Sequence, residues 1–257
     1  INTYNQGSKK ESYSGASLLN LSLLSGSSND IVGFNASLPF NAIEIVVNSG
    51  VSLLSSTKIY YAVIKEYCAG PVLECNTSTK MNLPAFPMTI DPVHTGMSGV
   101  SVGGVLNAEN AISANENDFA TIDLNVGLLA SGSLAIKDQV TDYPAGTYAG
   151  FEIENTSLLS LAALGNIVVS TYLNGDKKEE FSGTNLVANV ALIPSGGRFK
   201  LGFVSAKEFD EVKLSINQTL GVNLGTTKVY GAVFENFCAG PALSCNTKTA
   251  LTSPIYP

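Results

Sequence analysis

Residues 58–75 read KIYYAVIKEYCAGPVLEC, and residues 228–245 read KVYGAVFENFCAGPALSC. The similarity extends over 57–87 and 227–257, with 16 identities in 31 ungapped positions. Further back, TYNQGSKKESYSG at 3–15 matches TYLNGDKKEEFSG at 171–183. The first 87 residues therefore correspond to the last 87, and a chain of this kind is an array of like modules.

The repeat predicts how the chain is divided. Residues 88–170 have no second copy. We expect residues 1–87 to be the C-terminal half of a first β-sandwich repeat, and residues 88–257 to be a complete second repeat. Ile1 then corresponds to a position inside the strand-like run NIVVSTYL at 166–173, so the chain is expected to begin in the middle of a repeat.

Composition excludes two classes of partner. Apolar residues make up 45% of the chain, enough for a packed core, and charged residues only 14%. With 21 acidic residues, 14 basic residues and a single arginine, Arg198, the chain has no positive stripe for a phosphate backbone, so we expect no nucleic acid partner. No apolar run reaches about 18 residues, so we expect no membrane insertion.

Alternation of apolar and polar residues predicts the fold class. Ile122, Leu124 and Val126 alternate with Asp123 and Asn125, as expected of half-buried strands, and Val212, Leu214 and Ile216 follow the same pattern. Gly, Asn, Asp and Ser clusters separate such runs. We predict an all-β fold of tandem antiparallel β-sandwiches, similar to jelly rolls.

Local motifs predict the joints between strands. The NGD at 174–176 indicates a hairpin turn. NAENAISA at 107–114 and SLLSLAALG at 157–165 are candidate short helices. The proline-bearing stretch over 76–96 is predicted to be a semi-rigid connector between modules.

The four cysteines form two pairs, each closing a short loop around Ala-Gly-Pro. We predict two local disulfides, Cys68 to Cys75 and Cys238 to Cys245, because one histidine and two remote cysteine pairs do not supply a zinc site. Disulfides imply an oxidising setting, extracellular or periplasmic, and of these we expect an extracellular protein at a cell surface.

Three phrases carry a resemblance to known proteins: NAENAISANENDFATIDL, YPAGTYAGFEIEN and EFDEVKLSINQTLGVNLGTTKVYGAV. Together they resemble repeat modules of large secreted, adhesin-like surface proteins of Bacteroidetes, exported by type IX secretion and in part associated with gliding. The first phrase is also similar to the start of discoidin-type jelly rolls. The chain departs from that second pattern, because Ser113 and Ala114 stand where Asp and Gly would fall, and Trp is absent.

Candidate chemistry is sparse. His94, the only histidine, falls in the predicted connector and is interpreted as a solvated residue. Glu179–Glu180 and Asp210–Glu211 fall at predicted hairpin or strand ends and are interpreted as exposed charges. Asn115, Glu116, Asn117 and Asp118 offer oxygen atoms of the kind that Ca²⁺ prefers, although a polar turn explains the same residues. The aromatic residues are expected to pack in the core. We therefore expect no enzyme activity and no cofactor beyond the calcium candidate.

Two functions remain open at this point. The first is a structural or adhesive repeat of an extracellular surface protein or filament, with neighbouring repeats or subunits as partners. In that case strands missing from the first module are expected to come from upstream residues or from another chain, head to tail, by strand donation. The alternative is a carbohydrate-binding or enzyme-accessory module that takes surface glycans.

Overall fold

The chain forms two compact units, Ile1–Glu66 and Tyr67–Pro257. A computed structural model describes residues 1–15, 18–20, 31–47, 58–155, 164–188, 197–218, 224–243 and 245–250. Each unit is taken by itself below. Within the described residues, no helix has the length and apolar character that crossing a membrane would require.

Strands dominate both units. The first unit contains β1 (Asn2–Asn5), β2 (Ser8–Ser12), β3 (Leu19–Asn20), β4 (Val32–Gly33) and β5 (Ala42–Glu44). The second contains β6 (Thr79–Met81), β7 (Met88–Ile90), β8 (Gly96–Leu106), β9 (Ala120–Asp138), β10 (Thr147–Glu154), β11 (Ile167–Leu173), β12 (Asp176–Ser182), β13 (Val187–Ala188), β14 (Phe199–Val204), β15 (Glu211–Asn217) and β16 (Thr226–Asn236). Two 3-10 helices, η1 (Ala108–Ile112) and η2 (Gly183–Asn185), lie between strands of the second unit.

One long strand belongs to both layers of the second unit. The beginning of β9 pairs with β16, through Ala120–Asp123 and Thr226–Val229. Its end pairs with β15, through 131–137 and Glu211–Asn217. The first layer continues as β16, β10, β14 and β13, and the second as β15, β11 and β12, with every pairing antiparallel. The predicted all-β, jelly-roll-like antiparallel sandwich is confirmed.

The core lies between the two layers. It contains alternate residues of β10 (Ala149, Phe151, Ile153) and alternate residues of β15 (Val212, Leu214, Ile216). Ile122 and Leu124 of β9 are also buried, as their alternation predicted. Within the core, the Phe234 ring meets two others edge to face, with its centroid 4.7 Å from that of Tyr143 and 5.2 Å from that of Phe209. Most of the large aromatic residues of this unit serve packing, as expected.

Strand β16 contains a bulge that brings more of its residues into the core. Glu152 pairs with Gly231 and Ile153 with Val229, so Tyr230 is the extra residue. Gly231 has φ 146°, and a Cβ there would lie 2.7 Å from the carbonyl oxygen of Ala111 in η1. The bulge requires glycine at this position.

The predicted turn and the first candidate helix are confirmed. Asn174 and Gly175 join β11 to β12 with φ values of 55° and 83°, the two left-handed residues of a tight hairpin turn. Residues 108–112 form the 3-10 helix η1. Most of 157–165 lies outside the described residues.

The first unit reproduces five strands of the second. Its order β2-β1-β5 matches β12-β11-β15. The short pair β3–β4, with Leu19 opposite Gly33, matches the pair β13–β14, with Val187 opposite Gly202. The carboxylates of Glu11 and Glu179 accept hydrogen bonds from the backbone of equivalent loops. The sequence repeat is therefore also a repeat of strand pairing.

One repeated stretch differs between the units. Residues 228–236 lie in β16, with Val229 and Phe234 fully buried between paired strands. The equivalent residues 58–66 form no strand, and Ile59, Tyr61 and Ile64 are 58%, 74% and 72% exposed. The apolar character of this stretch is the same in both copies, but only the second copy has β9, β10 and β6 beside it.

The boundary between the units differs from the expected division at residues 87 and 88. The second unit begins at Tyr67, because β6 pairs with β16 and β7 pairs with β9. Residues 76–96 were predicted to be a connector. They instead supply two strands, because their prolines fall between and after the strands rather than within them.

The disulfide pairing also requires correction. Cys75 is bonded to Cys238, with their Cα atoms 5.3 Å apart and a sequence separation of 163. Cys68 and Cys245 are exposed, and neither is bonded to its predicted partner. Short spacing favoured local loops, but the pairing of β6 with β16 brings the first and last strands of the unit side by side. We call the bond between Cys75 and Cys238 the terminal clamp.

Removing the terminal clamp should strongly destabilise the second unit. A closed loop of this length gives about 5 kcal/mol on a chain-entropy estimate. We expect the double variant Cys75→Ser, Cys238→Ser to lose stabilisation of that order, measured by hydrogen exchange of the β10 and β16 amides in increasing denaturant. The double variant Cys68→Ser, Cys245→Ser is the matched control and should retain the parent stability. Equal protection of both variants would contradict this expectation.

Candidate functional site

The only histidine lies against a buried carboxyl. His94 follows β7 in a turn in which Oδ1 of Asp91 accepts the backbone N–H of Val93 at 2.6 Å. Nδ1 of His94 lies 2.7 Å from Oε1 of Glu211, at the start of β15. Its ring packs on Tyr172, with centroids 4.2 Å apart. The interpretation of His94 as a solvated connector residue is wrong, because this segment belongs to the sandwich.

Glu211 and Asp210 are buried, which corrects their interpretation as exposed strand-end charges. Glu211 is fully buried, and Asp210 is 4% exposed. β15 lies between β11 and β9, so its first residues are covered on both sides. Asp210 is compensated by Lys137, whose Nζ lies 3.0 Å from Oδ2. Glu211 has no cation of its own at that distance among the described residues.

Burial decides the protonation of this pair. Burial, and then the neighbouring Asp91 carboxylate, raises the pKa of Glu211 to about 9. Burial lowers the pKa of His94. Both groups are therefore neutral near pH 7, and the short contact is a hydrogen bond in which the Glu211 carboxyl donates to Nδ1 of the imidazole. The contact gives Oε1 of Glu211 a hydrogen-bond partner without forming an ion pair, whereas the buried Oε2 has no such partner among the described residues.

Asp91, His94 and Glu211 are also the one group of described residues with a metal-ligand arrangement. Their ligand atoms lie within 4.8 Å of one another. A nitrogen and carboxylate oxygens suit a divalent cation such as Zn²⁺. Any cation would have to displace the proton held by Glu211, so binding would weaken as the pH falls. The first copy has Ala42 where the second has Glu211, so the cluster is not a property of every repeat.

The calcium candidates Asn115, Glu116 and Asp118 lie together in one turn before β9. Asp118 accepts hydrogen bonds from Ser113 at 2.8 Å and from the Asn115 amide at 2.7 Å. The backbone carbonyl of Glu116 accepts a hydrogen bond from Nη1 of Arg198 at 2.8 Å. These oxygens have partners within the protein, and a guanidinium lies beside them. The calcium site stays a prediction.

A second cluster lies outside the core on the β10–β16 layer, and we call it the Tyr230 cluster: Phe119, Glu154, Arg198, Lys228 and Tyr230. Cζ of Arg198 lies 3.6 Å from the centre of the Tyr230 ring. The Tyr230 hydroxyl donates to Glu154 at 2.7 Å, and Nζ of Lys228 lies 2.8 Å from the other oxygen of that carboxylate. Lys228 also lies 5.1 Å from the centre of the Phe119 ring.

The Tyr230 cluster offers a half-exposed aromatic edge next to charged donors. Phe119, Arg198, Glu154 and Lys228 are each partly exposed, whereas Tyr230 is buried beneath Arg198. The hydrogen bond between Lys228 and Glu154 is the main cause of two pKa shifts. It raises the pKa of Lys228 and lowers the pKa of Glu154. Such a surface can accept a neutral polar ligand that stacks on a ring and hydrogen-bonds to fixed donors.

Sequence reasoning did not find this cluster. One signal was available in the sequence. Lys228 and Tyr230 flank Val229 in a strand, so their side chains lie on the face opposite to that of Val229. The bulge at Gly231 cannot be read from alternation, and neither can the contribution of Arg198, which immediately precedes β14.

No family model matches the sequence, and no curated protein matches it. Solved structures do. The chain is similar to the family 32 carbohydrate-binding module of C. perfringens NanJ in complex with galactose, at 15% identity and a TM-score of 0.36, covering 62% of this chain and 100% of that one. It is also similar to the C-terminal domain of a chitobiase from Bacteroides fragilis, at 12% identity and 0.34, covering 62% and 97%.

A third similar structure is GH31 CBM32-2 bound to GalNAc, at 14% identity and a TM-score of 0.31, covering 58% of this chain and 98% of that one. At these scores the likenesses carry no argument about what this chain binds. The predicted likeness to jelly rolls is confirmed only at the level of the antiparallel sandwich described above. The resemblance to Bacteroidetes surface repeats stays a prediction.

Replacing Glu211 by glutamine should change how stability depends on pH. Because the folded pKa of Glu211 is raised above the unfolded value, its contribution to stability is fully present below about pH 4.5 and is lost as pH rises towards about 9. Glu211→Gln has no charge to form, so we expect it to gain stability relative to the parent between pH 7 and pH 9, by about 1 kcal/mol or more. Denaturant titrations across pH measure this.

The control is Glu208→Gln, which alters an exposed carboxyl three residues away and should leave the pH profile unchanged. A difference in stability between Glu211→Gln and the parent that stays constant from pH 5 to pH 9 would show that Glu211 is ionised in the fold.

Proposed function

We propose that the chain is a non-enzymatic, load-bearing β-sandwich repeat of an extracellular surface protein or filament, serving as a stalk or adhesion segment. The observation that carries this proposal is the terminal clamp, which joins the first and last strands of the second unit across 163 residues of sequence. Repetition supports it, because the short loop CAGPVLEC that leads into the clamp recurs as CAGPALSC directly after it.

The clamp determines where tension would run. A pull applied through residues 69–74 reaches Cys75, and a pull through 239–244 reaches Cys238. Since these two residues are covalently joined, the force passes through the sulfur–sulfur bond and does not load the strands between them. The sandwich then keeps its fold under tension that would otherwise separate β6 from β16. An array of such units would extend only through its six-residue loops.

The terminal clamp supports an extracellular location, because disulfides persist in an oxidising environment and would be reduced in a cytosol. The unit also carries few charges and many hydroxyl and amide side chains. Neighbouring repeats are the partners that this architecture requires.

Pulling on the exposed cysteines tests the proposal directly. Handles attached by maleimide at Cys68 and Cys245 load the two loops that flank the clamp. With the clamp intact, we expect the tether to extend by about 5 nm without an unfolding step. After reduction of the clamp, unfolding should release a tether of about 60 nm, at about 3.4 Å per residue. Optical tweezers measure both lengths.

The double variant Cys75→Ser, Cys238→Ser is the control and should show the long extension without a reductant. A long unfolding step in the oxidised parent would contradict a load-bearing role for the clamp.

A second candidate function is recognition of a neutral glycan at the Tyr230 cluster. The observation that favours it is the combination of the half-exposed Phe119 ring with fixed donors on Arg198 and Lys228. Sugars present apolar ring faces and many hydroxyl groups, so they suit a site of this chemistry. An adhesion segment and a glycan-binding surface are compatible within one repeat.

Galactose and N-acetylgalactosamine, the sugars of two complexes named above, serve as probes in a calorimetric titration. If the cluster binds either one, we expect Phe119→Ala to weaken binding about tenfold, or about 1.4 kcal/mol. Lys207→Gln, which changes an exposed lysine outside the cluster, should leave the affinity unchanged. Saturable binding that Phe119→Ala does not alter would place the ligand elsewhere.

A further inference from the structure

The two exposed cysteines are the sequence equivalents of the two bonded ones. An offset of 170 residues places Cys68 at the position of Cys238 and Cys75 at the position of Cys245. The terminal clamp joins the second cysteine of the first loop to the first cysteine of the second loop. The two exposed cysteines are the complementary pair: Cys68 is the first cysteine of the first loop, and Cys245 is the second cysteine of the second loop.

Residues around the clamp show what each exposed cysteine lacks. The Asn76 side chain binds both backbone groups of Cys238, accepting its N–H at 2.9 Å and donating to its carbonyl at 3.2 Å. Asn76 has a left-handed backbone, with φ 55°. Its equivalent, Asn246, already has φ 61°. The tail after Cys245 therefore begins with the conformation that the clamp uses.

The strand that follows Asn76 has a counterpart in the tail as well. Thr79–Met81 of β6 pairs with Ala232–Phe234 of β16. The offset maps Thr79 and Lys80 onto Thr249 and Ala250, and maps the β16 segment onto residues 62–64. Val63 and Ile64 of that stretch are 53% and 72% exposed, whereas their equivalents Val233 and Phe234 are 1% and 0% exposed.

We propose that Cys245 of one copy of this chain forms a disulfide with Cys68 of a second copy, with residues 246–250 pairing against 62–66 of that copy as β6 pairs with β16. The inference rests on the proposed repeat function and identifies the surface by which copies join. The result is a head-to-tail assembly in which each junction repeats the terminal clamp.

The bond requires an oxidant, and a small-molecule disulfide such as oxidised glutathione supplies it. Cys68 and Cys245 each lose a proton and together give up two electrons. The glutathione disulfide accepts the two electrons and the two protons and leaves as two thiols. The exchange proceeds through a mixed disulfide between one cysteine and glutathione. Strand pairing holds the second cysteine close to it, so attack by that cysteine is faster than loss of the mixed disulfide.

Two single variants of the full chain test the proposal by complementation. Cys68→Ser keeps the donor thiol at 245, and Cys245→Ser keeps the acceptor thiol at 68. Treated together with oxidised glutathione, they should form a heterodimer on a non-reducing gel, and peptide mass mapping should find Cys245 joined to Cys68. Each variant treated alone should remain monomeric. Random pairing of exposed thiols would instead give as much homodimer as heterodimer, and would overturn the proposal.

A change in the tail separates strand pairing from chance oxidation. Thr249→Pro, added to the Cys68→Ser variant, should abolish the heterodimer, because the backbone N–H of its equivalent Thr79 faces β16 and proline cannot donate to a strand ladder. Thr249→Val is the matched control and should preserve it. Undiminished heterodimer with Thr249→Pro, or a parent chain that closes Cys68 onto its own Cys245, would also overturn the inference. The same peptide map reports the bond between Cys75 and Cys238, so loss of the terminal clamp is distinguished from failure of the junction.

Discussion

Strand β16 can be buried only where strands lie on both sides of it. Its sequence is apolar on alternate and on adjacent positions, and it pairs with β10 on one edge and with β9 and β6 on the other. The equivalent sequence at 58–66, identical at four of nine positions, has none of these neighbours within the first unit and exposes its apolar side chains. Both stretches are apolar, so apolar character alone does not explain the difference. Strand neighbours decide whether the stretch forms part of a core.

The same constraint explains why the unit boundary lies upstream of its expected position. Strand β6 is only three residues long and is preceded by a proline-bearing loop, so its sequence resembles that of a connector. It is nevertheless the strand that closes the edge of β16, and the clamp fixes it there. Once β6 is assigned to the second unit, the four cysteines separate into a bonded pair and a complementary pair. The repeat visible in the sequence and the unit visible in the fold therefore begin at different positions, residue 88 and Tyr67.

Local features were predictable from sequence, and contacts across the sandwich were not. Val212, Leu214 and Ile216 follow a period of two, and Asn174–Gly175 suits a tight turn, because both depend on neighbouring residues. The contact of His94 with Glu211 depends on β7 lying near β15 by way of β9, which no local pattern records. Six-residue spacing favoured the pairing of Cys68 with Cys75 for a similar reason. The sequence showed only which cysteines are close along the chain. The pairing of β6 with β16 instead brings Cys75 close to Cys238.

The glycine at the β16 bulge limits how such repeats can be exchanged during evolution. Tandem copies of similar sequence invite unequal recombination, which would move one copy's strand into another copy's sandwich. The first copy carries Tyr61 where the second carries Gly231, and even a single carbon at that place would meet the Ala111 carbonyl at 2.7 Å. A recombinant with the tyrosine in the second sandwich would have to displace η1. Selection against such products would keep adjacent copies distinct while their cysteine loops stay alike.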